Sequence, residues 1–217
     1  MLFLDRRDAG RRLAGHLMVF RGPDIVVAGL AGGGVAVAAE VAARLRVLLN
    51  VLVVHELRQP ECQDAVFGAI AERDVCVVNE PRPEPASGAT ELTGIERTAR
   101  DMLRRRGEQF RTARSATELA GRTVVLVDEG LSSPASARAA CRAAYAHGAI
   151  RVVFAAPVGA RSTVAALAGD ADKVVCPHTY DRIDDIDSYY ADFAPVGDDE
   201  ACRILREPVL SAPRRAG

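Results

Sequence analysis

Short runs of β-branched and aliphatic residues alternate along the chain with longer alanine- and arginine-rich stretches. Asp24–Ala28, Val51–Val54, Val75–Val78, Thr123–Val127, Val152–Ala156 and Lys173–Cys176 have the length and composition of strands. Several are apolar throughout instead of alternating, which predicts a parallel sheet covered on both faces. Val35–Leu45, Ser136–Ala146 and Ser162–Ala168 carry helical spacing, and His147-Gly148 supplies a stop for the second of these. Strand–helix–strand alternation predicts an α/β fold built on a doubly wound parallel sheet. Two stretches break the rhythm. Pro81–Ala89 (PRPEPASGA) reads as a loop, and it leads into Thr93-x-x-Glu96, the spacing of a capping box, with a helix to about Phe110. Loop and arginine-rich helix together, roughly residues 79–118, are expected as a flap or hood beside the sheet. The tail Pro208–Gly217 reads as frayed, which leaves residues 1–207 as a single domain.

Composition narrows the function. With 49% hydrophobic and 26% charged residues in a chain of 217, a substantial core is expected and wholesale disorder is not. Basic residues number 28 against 29 acidic, so the overall positive charge of a general nucleic-acid or anionic-membrane binder is missing. No Trp, 4 Tyr and 6 Phe leave few platforms on which bases could stack. A small-molecule ligand is the expected partner, with neither nucleic acid nor membrane. The 5 cysteines are odd in number and contain no C-x-x-C pair, which favours free thiols over a disulfide framework. Met1–Arg12 is charged almost at once, and Ile25–Ala39 is too short and too glycine-rich to span a bilayer. A cytoplasmic protein is expected. Every basic residue except Lys173 is arginine, so lysine-dependent chemistry has a single candidate in a late segment.

Two loops that follow strands have the composition of ligand sites. Gly29-Leu30-Ala31-Gly32-Gly33-Gly34 stands between a strand and a helix. Its glycines allow close backbone approach, and the helix that follows offers free N–H groups to an anion. No Lys-Ser/Thr follows, so the Walker pattern fails. Gly32-x-Gly34 half meets a dinucleotide fingerprint, with Val37 where Gly or Ala belongs and Glu56 as the ribose carboxylate. The second loop, Asp128-Glu129-Gly130-Leu131-Ser132-Ser133-Pro134-Ala135-Ser136, joins two adjacent carboxylates to a hydroxyl-rich turn and a helix start. The acids could accept hydrogen bonds from two ribose hydroxyls, while the serines and the helix N-terminus hold a phosphate. Ser133-Pro134 is equally an ordinary N-cap with proline at the first helical position. The run Asp181, Asp184, Asp185 and Asp187 reads as a solvated loop, and Arg97, Arg100 and Arg104–Arg106 as a solvated helix face.

With the segments Asp5–Ala14, Gly29–Ala38, Phe67–Glu72 and Tyr190-Ala191-Asp192-Phe193, the Asp128 loop resembles the type I phosphoribosyltransferases. More narrowly, the chain is similar to bacterial stand-alone or esterase-linked phosphoribosyltransferase-domain proteins. That resemblance implies a central parallel sheet with a hood and a site for 5-phosphoribosyl 1-diphosphate with Mg²⁺. It implies that Asp128 and Glu129 hold the ribose 2′- and 3′-hydroxyls and reach Mg²⁺ through the ligand. Ser132, Ser133, Ala135 and Ser136 would cradle the phosphate, and Ala31, Gly32 and Gly33 the diphosphate, with His55 and Glu56 beside it. A homodimer is the fold-level expectation. The implied reaction is displacement of pyrophosphate at the anomeric carbon by a nitrogen base, in nucleotide-related metabolism. Three positions depart from the family pattern. Ser133-Pro134-Ala135-Ser136 replaces Thr-Gly-x-Thr, Gly32 stands where relatives carry arginine, and His55-Glu56 replaces an Arg-Lys pair. Proline removes an N–H from the cradle, and the other changes remove positive charge near the leaving group. Three alternatives stay open: a non-catalytic nucleotide-binding or regulatory member of the fold, a dinucleotide protein using Gly32, Gly34 and Glu56, and RNA binding through the arginines of the hood.

Overall fold

The computed structural model describes residues 1–59, 62–79 and 89–207. Five strands form a wholly parallel central sheet: β1 (Ile25–Leu30), β2 (Leu48–Leu52), β6 (Thr123–Val127), β7 (Arg151–Ala155) and β9 (Lys173–Val175), in the order β2-β1-β6-β7-β9. Its two faces explain the continuous apolar runs. Val27, Val125 and Val153 turn to one face, against α1 (Arg6–His16), α2 (Gly33–Leu45) and α6 (Asp198–Arg206). Val26, Val124, Leu126 and Val152 turn to the other, against the alanine-rich face of α4 (Pro134–Ala146).

Outside the central sheet lies a second, antiparallel one: β3 (Val54–Gln59), β4 (Cys62–Ala71) and β5 (Val75–Val78), in the order β3-β4-β5. The run Val51–Val54 therefore straddles two strands of different sheets, and Val75–Val78 is an edge strand of the outer sheet, not part of the parallel one. α4 covers one face of this outer sheet through its alanines. The long helix α3 (Ala89–Ala113) covers the other, with Ile95, Ala99 and Leu103 packed on Leu57, Phe67 and Ile70. Because α3 begins at Ala89, Thr93 lies inside the helix and does not cap it. Residues 80–88, most of the proline-rich stretch, and the tail from 208 fall outside the described residues. A small parallel pair, β8 (Val158–Ala160) with β10 (His178–Tyr180), and a short helix α5 (Arg161–Ala166) complete the framework.

This topology positions the two loops singled out above. β1 and β6 are adjacent and parallel, yet their connections leave toward opposite sides, α2 leading to β2 and the Asp128 segment leading by α4 to β7. Such a switch point opens a crevice at the carboxyl ends of the strands, where ligands of open α/β sheets bind. His147 closes α4 and is followed by Gly148 at φ +83°, the left-handed turn a helix stop requires.

Candidate functional site

Close backbone approach brings the glycine loop and the acid pair together. Gly32 is the N-cap of α2 with φ 108°, a conformation open to glycine and strained for other residues. A Cβ on Gly34 would meet the Val127 carbonyl oxygen at 2.9 Å and Asp128 Oδ1 at 3.0 Å. One on Gly33 would fall 1.7 Å from Glu129 Oε2. Hydrogen at these positions is thus what lets the first turn of α2 lie against Asp128 and Glu129. The Ala31 N–H donates to the Leu52 carbonyl at 3.0 Å, tying the loop to the end of β2.

Each acid has its own surroundings. Asp128 Oδ1 accepts from the Glu129 N–H at 2.8 Å. Part of Asp128 still reaches solvent, but enough protein surrounds the carboxyl that desolvation, with the charges of Glu129 and Glu56, pushes it up to about 7. Arg6 and the Glu129 N–H hydrogen bond oppose that rise. Glu129 is paired with the Arg6 Nε. Arg6 also donates from Nη1 to the Ala194 carbonyl at 2.7 Å, and its guanidinium carbon lies 3.7 Å from the Phe193 ring centroid. Tyr190 donates from its hydroxyl to the Glu129 carbonyl at 2.5 Å; burial and the nearby carboxylates hold that phenol well above its ordinary range.

The second loop supplies the start of α4. Ser133 is its N-cap and Pro134 its first residue, yet the Ser133 hydroxyl makes no capping bond. Ser132 is exposed, and its carbonyl accepts from Thr163 Oγ1 at 3.1 Å. Ala135 is fully buried, so its side chain faces the core and only its backbone belongs to the helix end. Ser136 donates from Oγ to Glu56 Oε1 at 2.8 Å, and Arg58 pairs with the other oxygen of Glu56 at 2.5 Å. The helix end that would receive a phosphate therefore carries an internal carboxylate.

His55 and Glu56 are parted by the pleat of β3. Successive side chains point to opposite faces, so Glu56 shares the α4 face with Val54, while His55 shares the α3 face with Leu57. Burial first, then Arg106, holds the His55 imidazole below its ordinary range. For a dinucleotide, the ribose carboxylate belongs at the end of β2. That strand stops at Leu52, and Glu56 lies in the outer sheet.

Arg6 and Tyr190 belong to the site although neither was a candidate on sequence. A signal for Arg6 exists. The buried residues of α1 are Arg6, Ala9, Gly10, Leu13 and Ala14, so an arginine opens the apolar stripe of the helix. Arg106 is not simply solvated: it makes two bonds to Asp198, of 2.8 and 2.6 Å. Among the described residues no group of three or more His, Cys, Asp or Glu is placed to hold a metal ion. The donor set suits Mg²⁺ only in the manner usual for that ion, one or two carboxylates completed by ligand oxygens, with Asp128 and Glu129 as the residues concerned.

The family model for the phosphoribosyl transferase domain matches residues 6–193. The chain belongs to that family. The match takes in both the glycine loop and the acid pair, and it starts at Arg6 and ends at Phe193, whose ring lies against the Arg6 guanidinium. A Mycobacterium tuberculosis protein provisionally named as a phosphoribosyl transferase is 43% identical over 205 residues, which cover 94% of this chain and 46% of that protein. The chain thus spans about half the length of the curated relatives it matches. A Thermus thermophilus protein of known crystal structure is 36% identical with a TM-score of 0.78, over 95% of this chain and 99% of that one. No helix among the described residues of this phosphoribosyl transferase domain is long and apolar enough to cross a membrane.

Proposed function

We propose that this phosphoribosyl transferase domain binds 5-phosphoribosyl 1-diphosphate, or a nucleotide made from it, in the crevice between the loops at Ala31–Gly34 and Asp128–Ser136. The observation that carries this reading is the approach of the Gly33-Gly34 turn to the two carboxylates, an arrangement that a single Cβ would block. Glu129 and Asp128 accept hydrogen bonds from the ribose 2′- and 3′-hydroxyls. The first turn of α2 faces the diphosphate, and Ser132, Ser133 and Ser136 at the start of α4 face the 5′-phosphate.

Transfer on this site breaks the bond from the anomeric carbon to the diphosphate oxygen, which leaves with the bonding pair. A ring nitrogen of the base supplies the new pair, and its proton passes to water. The positive charge that develops on the sugar is stabilised by the adjacent carboxylates, Asp128 acting in its ionised form. Mg²⁺, held through the ligand by Asp128 and Glu129, would supply charge neutralisation for the leaving group. A second reading, binding without turnover, draws on Pro134 and on the carboxylate of Glu56 at the α4 start, both of which weaken the phosphate cradle.

Calorimetric titration with phosphoribosyl diphosphate, with and without Mg²⁺ and with ribose 5-phosphate as control, tests the assignment. Mg²⁺-dependent uptake is expected. No heat from either compound would refute it, and uptake without pyrophosphate release across a panel of bases would select the non-catalytic reading.

A further inference from the structure

Resting on the ligand reading above, we infer that Glu129 is a stand-in anion for the diphosphate, and that Arg6 is the cation that passes from Glu129 to the arriving ligand. The Glu129 carboxylate lies directly over Gly33, where a Cβ would fall 1.7 Å from Oε2. That place borders the first turn of α2, the end at which the helix dipole favours negative charge. The free protein fills it with its own side chain.

Arg6 is equally well placed. It is only 8% exposed, and it is held by the Ala194 carbonyl at 2.7 Å and by the Phe193 ring at 3.7 Å, both independent of Glu129. A Cβ on Gly33 would fall 2.5 Å from its Nε, so the guanidinium borders the glycine turn itself. Neither Ala31–Gly34 nor Asp128–Ser136 contains a basic residue, so the two loops bring no cation of their own. A buried guanidinium needs an anion at hand, and the exchange of one anion for another leaves it satisfied throughout. When the diphosphate takes the place over Gly33, Glu129 turns to the ribose hydroxyls. Arg6 keeps its carbonyl bond and its stacking, and its Nε donates to the diphosphate.

The test is calorimetry of the full chain with inorganic pyrophosphate and with phosphoribosyl diphosphate, each with Mg²⁺, on the wild type, Glu129→Gln, Arg6→Gln and Arg6→Lys. Glu129→Gln is expected to bind pyrophosphate several-fold more tightly, because the internal competitor has lost its charge. The same variant gains less with phosphoribosyl diphosphate, whose ribose loses a strong acceptor. Arg6→Gln is expected to weaken both ligands by roughly tenfold or more, the size of a hydrogen bond to a charged group, with Arg6→Lys in between. Pyrophosphate affinity that stays level or falls in Glu129→Gln overturns the inference, as does affinity unchanged in Arg6→Gln. Should Arg6→Gln fail the circular-dichroism check for folding, Arg6→Lys and Glu129→Gln decide alone. Failure of the underlying ligand reading has a different signature: no uptake of phosphoribosyl diphosphate or ribose 5-phosphate by the wild type or by Glu129→Gln.

Discussion

Asp128 shows what the site costs the fold. Its carboxyl is raised from the ordinary 3.8 to about 7, by burial first and by the neighbouring Glu129 charge second. The folded protein therefore holds this proton more tightly than the unfolded chain does. Between pH 3.8 and about 7 the native state binds more protons than the unfolded one, so stability falls as pH rises through that window and levels off above it. Asp128→Asn removes this contribution while leaving an oxygen to accept from the Glu129 N–H. The variant is expected to show a shallower decline in thermal midpoint across the window and greater stability above pH 7, together with loss of ligand binding. Unfolding scans across that pH range check it; slopes that coincide for wild type and variant would show that Asp128 is not the group responsible.

At the scale of elements, the N-termini of α2 and α4 decide what the crevice holds. Gly34→Ala would press a Cβ onto the Val127 carbonyl at 2.9 Å and the Asp128 Cα at 3.3 Å, backbone that cannot give way. A loss of about 1–3 kcal/mol is expected, the usual cost of overpacking. Gly33→Ala meets the ends of Glu129 and Arg6 instead. It should keep most of the stability and lose pyrophosphate affinity, so urea unfolding paired with titration separates the two; equal stability losses would refute the distinction. At α4, Ser133→Thr, Pro134→Gly and Ser136→Thr together are expected to tighten phosphoribosyl diphosphate binding by restoring an N–H and room for the phosphate. The glycine turn and the acid pair were legible in the sequence because each interrupts apolar runs with residues that have few structural uses. The central strands were legible because burial on both faces leaves no polar alternation. β4 was not, since Cys62–Ala71 mixes polar residues, glycine and alanine without a clear period. Arg6 left only its place on the apolar stripe of α1 as a trace, because its partner Glu129 lies 123 positions away and only the fold joins them.

Across the whole molecule, the outer layer is fixed to the framework of the crevice from two sides. α4 supports one face of the outer sheet, and α3 closes the other before reaching α6. There Arg106 makes its paired bonds to Asp198, Gln109 donates to Asp199 at 3.0 Å, and Arg114 donates to the Leu205 carbonyl at 3.1 Å. α6 in turn packs Ala201, Ile204 and Leu205 into the cluster that holds Val37 and Val41 of α2, the helix whose first turn borders the site. Arg106 also acts electrostatically on β3, where its charge helps to hold the His55 imidazole low. Arg106→Ala should cost about 1 kcal/mol, because both partners are partly exposed. Amide exchange in α3 should quicken while that in β1 and β6 stays unchanged. Its sharper consequence lies at His55. Removing Arg106 takes away one of the causes that hold the imidazole low and leaves burial in place, so the His55 titration moves up toward 6.5 without reaching it. An NMR titration of the histidine ring protons reads this directly. A His55 curve that does not move would mean that the Arg106 guanidinium does not act on the imidazole across the contact between α3 and β3.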